Sequence, residues 1–171
     1  MKFVIYGIVA LVAMQRLWEV HHSARNTAAL KRRGGVEVGG GHYPLIVIMH
    51  IAWLCAIIVF LPRDPQLHWT AFGGFLLLQL LRAWVLVSLG GYFTTRIITL
   101  KGAPLVRHGP YRFVRHPNYL VVIGEIATLP LACGEIAVAV TFSVLNGILL
   151  VWRISRENAA LASRRAGGEA A

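Results

Sequence analysis

Residues 118–152, NYLVVIGEIATLPLACGEIAVAVTFSVLNGILLVW, decide the fold. Two apolar runs, 118–133 and 136–152, are parted only by Gly134 and Glu135, shortly after Pro130. Their apolar residues are continuous and lack the period-two alternation of a membrane barrel, so strands are not expected. Two helices joined by so short a turn form a tight helical hairpin. Each run is short for crossing a hydrocarbon core, which takes about 20 apolar residues.

Segments 3–20, 43–61 and 67–92 come near the same length. The expectation is an all-α, polytopic membrane protein of about five transmembrane helices, built as one domain over residues 1–171. The start, Lys2 followed by apolar Phe3 to Met14, imitates a signal peptide. Gln15, Arg16 and Glu19 then stand where small residues would mark cleavage, so the segment reads as a first membrane helix. Composition agrees. Hydrophobic residues make up 57% of the chain and charged residues only 14%, against about 25% in a soluble domain. Mean hydropathy is +0.63, which excludes a disordered tail, a polar solenoid and a typical cytosolic enzyme. The net charge of +10 lies between apolar runs, which points to anionic lipid headgroups and not to nucleic acid.

The basic residues also orient the chain. Arg25, Lys31, Arg32 and Arg33 fall in the first loop, Arg63 stands alone in the second, and Arg96, Lys101, Arg107, Arg112 and Arg115 fill the third. With Arg153, Arg156, Arg164 and Arg165 in the tail, thirteen of the 17 Lys and Arg residues lie on one side. That side is the cytoplasm, with the N-terminus outside. Trp18, Tyr43, Tyr92 and Trp152 then stand at the inner interface and Trp69 at the outer one. Gly34, Gly35 and Gly39 to Gly41 read as a mobile inner loop, and residues 166–171 as a frayed tail. Cys55 and Cys133 sit in apolar stretches far from metal-ligand partners and read as small core residues, so no metal site is expected.

Charges inside apolar spans persist for a reason, because each costs about 2.5–3.5 kcal/mol on insertion scales. Arg16 and Glu19 share one helix face, where they form an ion pair near the inner headgroups or border a substrate cavity. Arg82 and Glu125 lie deeper and either pair with each other or wall a cavity. The third loop is denser: LVRHGPYRFVRHPNY, residues 105–119, alternates cation, imidazole and aromatic up to a helix entrance that Pro117 can open. A lipid-bound basic loop accounts for its arginines but not for its histidines, tyrosines and asparagine. The stretch WRISRENAAL, residues 152–161, sets Arg153 and Glu157 four apart on one face where the last span leaves the membrane.

These two stretches carry a resemblance. GPYRFVRHPNY, followed after a helical hairpin by RISREN, resembles the isoprenylcysteine carboxyl methyltransferase and phospholipid methyltransferase group of integral membrane methyltransferases, whose pattern is GxYxxxRHPxYxG and then RxxxEE. It covers about residues 100–161. Val121 stands in place of the pattern's last Gly, and Asn158 in place of its second Glu.

The resemblance implies S-adenosyl-L-methionine as cofactor, held on the cytosolic side, and a lipidic acceptor entering from the bilayer. It places Leu105, Val106, His108, Tyr111, Arg115, His116 and Glu157 around the cofactor. Arg153 and Glu157 become the catalytic candidates, and Glu19, Asn118 and Tyr119 border the acceptor. Residues 1–99 then supply the N-terminal spans and 100–161 the cofactor-binding and catalytic part. RLWE at 16–19, SARN at 23–26, HYP at 42–44 and HIAWL at 50–54 resemble a small bacterial branch of the group associated with type III polyketide synthases. That branch implies O-methylation of an alkylpyrone or alkylresorcinol in a bacterial inner membrane. The alternatives are an isoprenylcysteine carboxylate or a phospholipid amine as acceptor, a reductase-like protein using a nicotinamide cofactor, or a lipid-binding membrane protein without catalysis.

Overall fold

The computed structural model describes residues 1–103 and 105–168, and of His42 and residues 161–168 the backbone only. Five helices dominate: α1 (Lys2–Arg32), α2 (Tyr43–Val59), α3 (Trp69–Leu89), α4 (Pro117–Ala132) and α5 (Ile136–Gly168). Three of them, Lys2–Arg32, Trp69–Tyr92 and Ile136–Ala160, are long and apolar enough to cross a membrane. α2 and α4, of 17 and 16 residues, are shorter apolar helices. Large apolar side chains such as Phe3, Leu17, Val59, Val87 and Val151 stand exposed around the bundle, a surface that suits lipid and not water. The chain is an all-α polytopic membrane protein.

α4 packs between α3 and α5, and α2 lies against α5. Gly124 faces α3 closely: a Cβ there would come within 2.6 Å of the tip of the Leu78 side chain, which would have to turn aside. Small residues at such crossings replace the hydrophobic drive that is missing between helices in lipid. All five helices or their caps supply one apolar core, among them Val9, Trp53, Ile57, Phe75, Ile126, Leu129 and Val138. The turn between α4 and α5 is the expected hairpin. Gly134 has φ +83°, which only glycine adopts without strain, and the His68 amide closes onto the Ala132 carbonyl at 2.9 Å.

Three expectations change. α1 runs 12 residues past Val20, to Arg32, because no breaker intervenes before Gly34 with φ +88°. The first loop does not hang free. Val36–Val38 forms a strand, β1, that pairs antiparallel with β2, Ile97–Thr99. Three-residue strands are too short to show alternation, which is why the sequence hides them. Finally, Cys133 is buried but Cys55 is exposed on α2 and is no core residue. Of the tail, 166–168 continue α5, while 169–171 lie outside the described residues. The β1–β2 pairing, the third loop and the end of α5 gather at one end of the bundle, where the site lies.

Candidate active site

Two clusters of charge lie within the bundle. The deeper one joins α1, α3 and α4. Arg82 bonds Glu125 through Nε at 2.8 Å and through Nη2, and its Nη1 reaches Glu19 at 3.0 Å. Arg16 bridges the same two carboxylates at 2.7 and 2.8 Å. Gln79 donates to Glu125 at 2.7 Å and Gln15 to Glu19 at 3.1 Å. Two guanidinium groups and two carboxylates sum to zero charge in a closed network. The pairing of Arg82 with Glu125 and the one-face pair of Arg16 with Glu19 are thus parts of one structure.

The second cluster lies at the inner end, where α4 begins and α5 leaves the bundle. Pro117 opens α4, which places Tyr119 two residues on, within the first turn and in contact with Arg153 and Glu157 of α5. The Tyr119 hydroxyl donates to Glu157 Oε2 and accepts from Arg153 Nε at 2.8 Å. Arg153 Nη2 donates to the Thr95 carbonyl at 2.6 Å, and Arg153 is only 7% exposed. His116 stacks on Tyr119 at 5.4 Å, meets Asn158 Oδ1 through Nε2 at 3.1 Å, and sets Nδ1 4.0 Å from Glu157 Oε1. Burial and the nearby Glu157 charge push the Tyr111 phenol above its ordinary range, so it stays a protonated donor.

Thr95 is itself held. Its amide and hydroxyl meet Ser23 Oγ at 2.7 and 2.8 Å, and its hydroxyl reaches Tyr43 at 3.3 Å. Glu37 on β1 bonds Arg96 and Lys31, each at 2.6 Å. These hydrogen bonds hold its carboxyl below the usual carboxylate range. The β1–β2 pairing therefore fixes the segment whose carbonyl positions Arg153.

Around Arg153 two cavities meet. A polar one of about 570 Å³ is lined by Leu105, Val106, Tyr111, Arg115, His116 and Glu157, together with Arg96, Arg107, Arg112, Leu30, Ile98 and Leu100. An apolar one of about 540 Å³ runs along α1 and α2 from Val20 to Tyr6 and from Tyr43 to Ile58, with Glu19, His50 and Cys55 in its wall. Phe93, Thr94, Asn118, Tyr119 and Arg153 line both. His108 is exposed and lines neither. Gly109 beside it, with φ +60°, lies so close to α3 that a Cβ would collide with Ser88, which seats the GPYR turn on that helix. Sequence reasoning missed Phe93, Thr94, Thr95 and Arg96, which precede the motif and join the site through strand pairing.

Residues 69–163 match the model of the isoprenylcysteine carboxyl methyltransferase (ICMT) family. That span is more than half of the 171-residue chain. The chain belongs to the isoprenylcysteine carboxyl methyltransferase family. It is similar to an uncharacterized protein, YpbQ, of Bacillus subtilis, 37% identical over 158 residues that cover 90% of this chain and 94% of that one. It is also similar to the protein-S-isoprenylcysteine O-methyltransferase B of Arabidopsis thaliana, 30% identical over 122 residues, 68% of this chain and 59% of that protein. The A form from the same plant is 28% identical over 118 residues. No solved structure matches the chain. As a member of the ICMT family the chain is a membrane methyltransferase. The matched span begins at α3, so the family part holds Tyr119, Arg153 and Glu157 while α1 and α2, which wall the apolar cavity, lie outside it.

Proposed function

We propose that the protein is an S-adenosylmethionine-dependent O-methyltransferase whose acceptor is a lipid reached from the bilayer. The observation that carries this reading is the meeting of a polar and an apolar cavity at Tyr119 and Arg153. A volume of about 570 Å³ falls within the range of small-molecule sites, roughly 300–1,000 Å³. The donor set also fits the cofactor's chemistry. Arg112, Arg115 and His116 would take its carboxylate, Glu157 and the tyrosine faces its ammonium and sulfonium charges, and Leu105, Val106, Ile98 and Leu100 its adenine. Bound there, S-adenosylmethionine supplies a methyl group on a positively charged sulfur.

The chain's own contribution is alignment in a dry site. Arg153, fixed by the Thr95 carbonyl and the Tyr119 hydroxyl, orients the acceptor oxygen where the two cavities join. The apolar cavity receives the tail: Ala10, Leu17, Val20, Ile51 and Ile58 line it and are exposed, so it opens sideways to lipid. From Val20 to Tyr6 it follows α1 for about 21 Å at 1.5 Å per residue, more than one leaflet of a hydrocarbon core about 30 Å thick. A long single chain such as that of an alkylpyrone or alkylresorcinol fills such a slot. The Arabidopsis relatives, by their names, favour an isoprenylcysteine carboxylate as the second reading.

The site faces the cytoplasm of a bacterial inner membrane in this reading, supported by the concentration of arginines around the polar cavity. Cysteines placed at positions 33 and 107 should escape labelling from outside intact cells, and labelling there would reverse the orientation. Calorimetry of the purified protein in detergent should show S-adenosylmethionine binding. Mass spectrometry of lipids made with and without the protein should show a gain of one methyl group, and absence of both results overturns the reading.

A further inference from the structure

Building on the proposed O-methyltransferase activity, we infer that Tyr119 relays a proton from the acceptor's hydroxyl to Glu157, which fits the site to phenols and enols that arrive protonated. A tyrosine hydroxyl has one proton to donate and two lone pairs to accept with. The proton of Tyr119 goes to Glu157 Oε2 and one lone pair takes the Arg153 Nε–H. One lone pair remains on a hydroxyl whose residue lines both cavities. Glu157 lines the polar cavity alone, and its side chain is 25% exposed, so a proton delivered to it can leave to water.

Other bases along the apolar cavity are worse placed. Glu19 is committed to Gln15, Arg16 and Arg82. His50 stands seven residues along α2 from Tyr43, about 10 Å further from the junction, with Nδ1 held by the Ile46 carbonyl. Tyr119 is thus the group through which an acceptor lying against Arg153 reaches a carboxylate.

The balance closes. As the acceptor oxygen bonds the methyl carbon of a sulfonium donor, the carbon–sulfur bond breaks and leaves a neutral thioether. The acceptor O–H bond breaks, its proton joins Tyr119, and the former Tyr119 proton joins Glu157, so the tyrosine ends unchanged. A carboxylate acceptor, already ionised, has no use for the relay, whereas a phenol of pKa about 10 needs it. The charged and titratable groups around Glu157 are Tyr119 and His116 at the head of α4, Tyr111 from the GPYR turn, Arg153 on α5 and Arg115 across the cavity.

The test compares full-length wild-type protein, Tyr119→Phe and Glu157→Gln in detergent, with S-adenosylmethionine and two acceptors. One is 5-pentadecylresorcinol, and the other is its ring-nitrated analogue, which is ionised at neutral pH. Loss of the relay should lower turnover of the resorcinol about 100-fold more than that of the nitro analogue, within the usual span of general-base effects. The acid limb of the resorcinol pH profile should disappear in Glu157→Gln. If Tyr119 serves only to hold Arg153, both acceptors slow in parallel and the ratio between them stays at the wild-type value, which overturns the relay alone. Methylation of neither acceptor by the wild-type protein overturns the relay together with the activity on which it rests.

Discussion

The charged cluster of α1, α3 and α4 and the cluster around Arg153 are built from the same residue types and serve opposite ends. In the first, every carboxylate oxygen is taken: Glu125 accepts from Arg82, Arg16 and Gln79, and Glu19 from Arg82, Arg16 and Gln15. No carboxylate oxygen is left to bind a ligand, although Arg16, Glu19 and Arg82 reach the apolar cavity wall. In the second, Arg153 and Tyr119 hold each other and still face two cavities. A charge in a membrane span marks either a clamp or a site, and saturation of its partners separates the two.

Breaking the clamp should give the largest effect. Glu125→Ala leaves Arg82 and Arg16 with a single carboxylate in a buried place, where removing one partner of an ion pair costs about 3–5 kcal/mol. The expected result is loss of folded protein from detergent extracts, read by size-exclusion chromatography. A variant that folds with wild-type thermal stability would show that the network is not a clamp. Arg153→Ala should do the reverse. It removes the group that orients the acceptor oxygen, and misplacement of a reacting group lowers kcat about 10²-fold, while the fold persists. Equal losses of stability from the two substitutions would erase the contrast.

Much of this was legible in the sequence, and what was not has a physical reason. Spans 43–61 and 67–92 appear as Tyr43–Val59 and Trp69–Leu89, because apolar length alone defines them. The hairpin at Gly134 followed from the same rule. Whether Arg82 pairs with Glu125 stayed open, since residues 43 apart in sequence meet only through helix packing. The role of Thr95 was invisible for a different reason: it acts through its backbone carbonyl, which every residue owns. Arg96 enters through the pairing of Val36–Val38 with Ile97–Thr99, too short to leave a pattern.

Glu157 combines a held carboxylate oxygen with an open face. It meets Tyr119 and approaches His116 but keeps surface toward the polar cavity, so it should count in binding and little in folding. Glu157→Ala should weaken S-adenosylmethionine binding by about 1.5–3 kcal/mol, the usual worth of a hydrogen bond to a charged group. Calorimetry reads this directly. An unchanged affinity would mean that the carboxylate serves Tyr119 and not the cofactor.

The smallest effect is expected from a third carboxylate, Glu135, which is 5% exposed and has no hydrogen bond to either oxygen. It lies in the turn between α4 and α5, at the end of the bundle away from the site. Burial pushes its carboxyl from the ordinary 4.5 up to about 7. Between those values the folded protein holds a proton that the unfolded chain has released, so stability falls as pH rises through that window. This contribution is read as the gap in Tm between wild type and Glu135→Gln in detergent, which should widen from about pH 5 to about pH 8. Glu37 does not confound the comparison, because its carboxyl is held below the ordinary range and its contribution is lost only at more acidic pH. Glu135→Gln should flatten the dependence and raise Tm at the alkaline end by a few degrees, roughly what 1 kcal/mol gives in a domain of this size. A Glu135→Gln variant whose Tm keeps a constant offset from wild type across this range would show that Glu135 is ionised in the folded protein and finds a partner there, making it a second clamp.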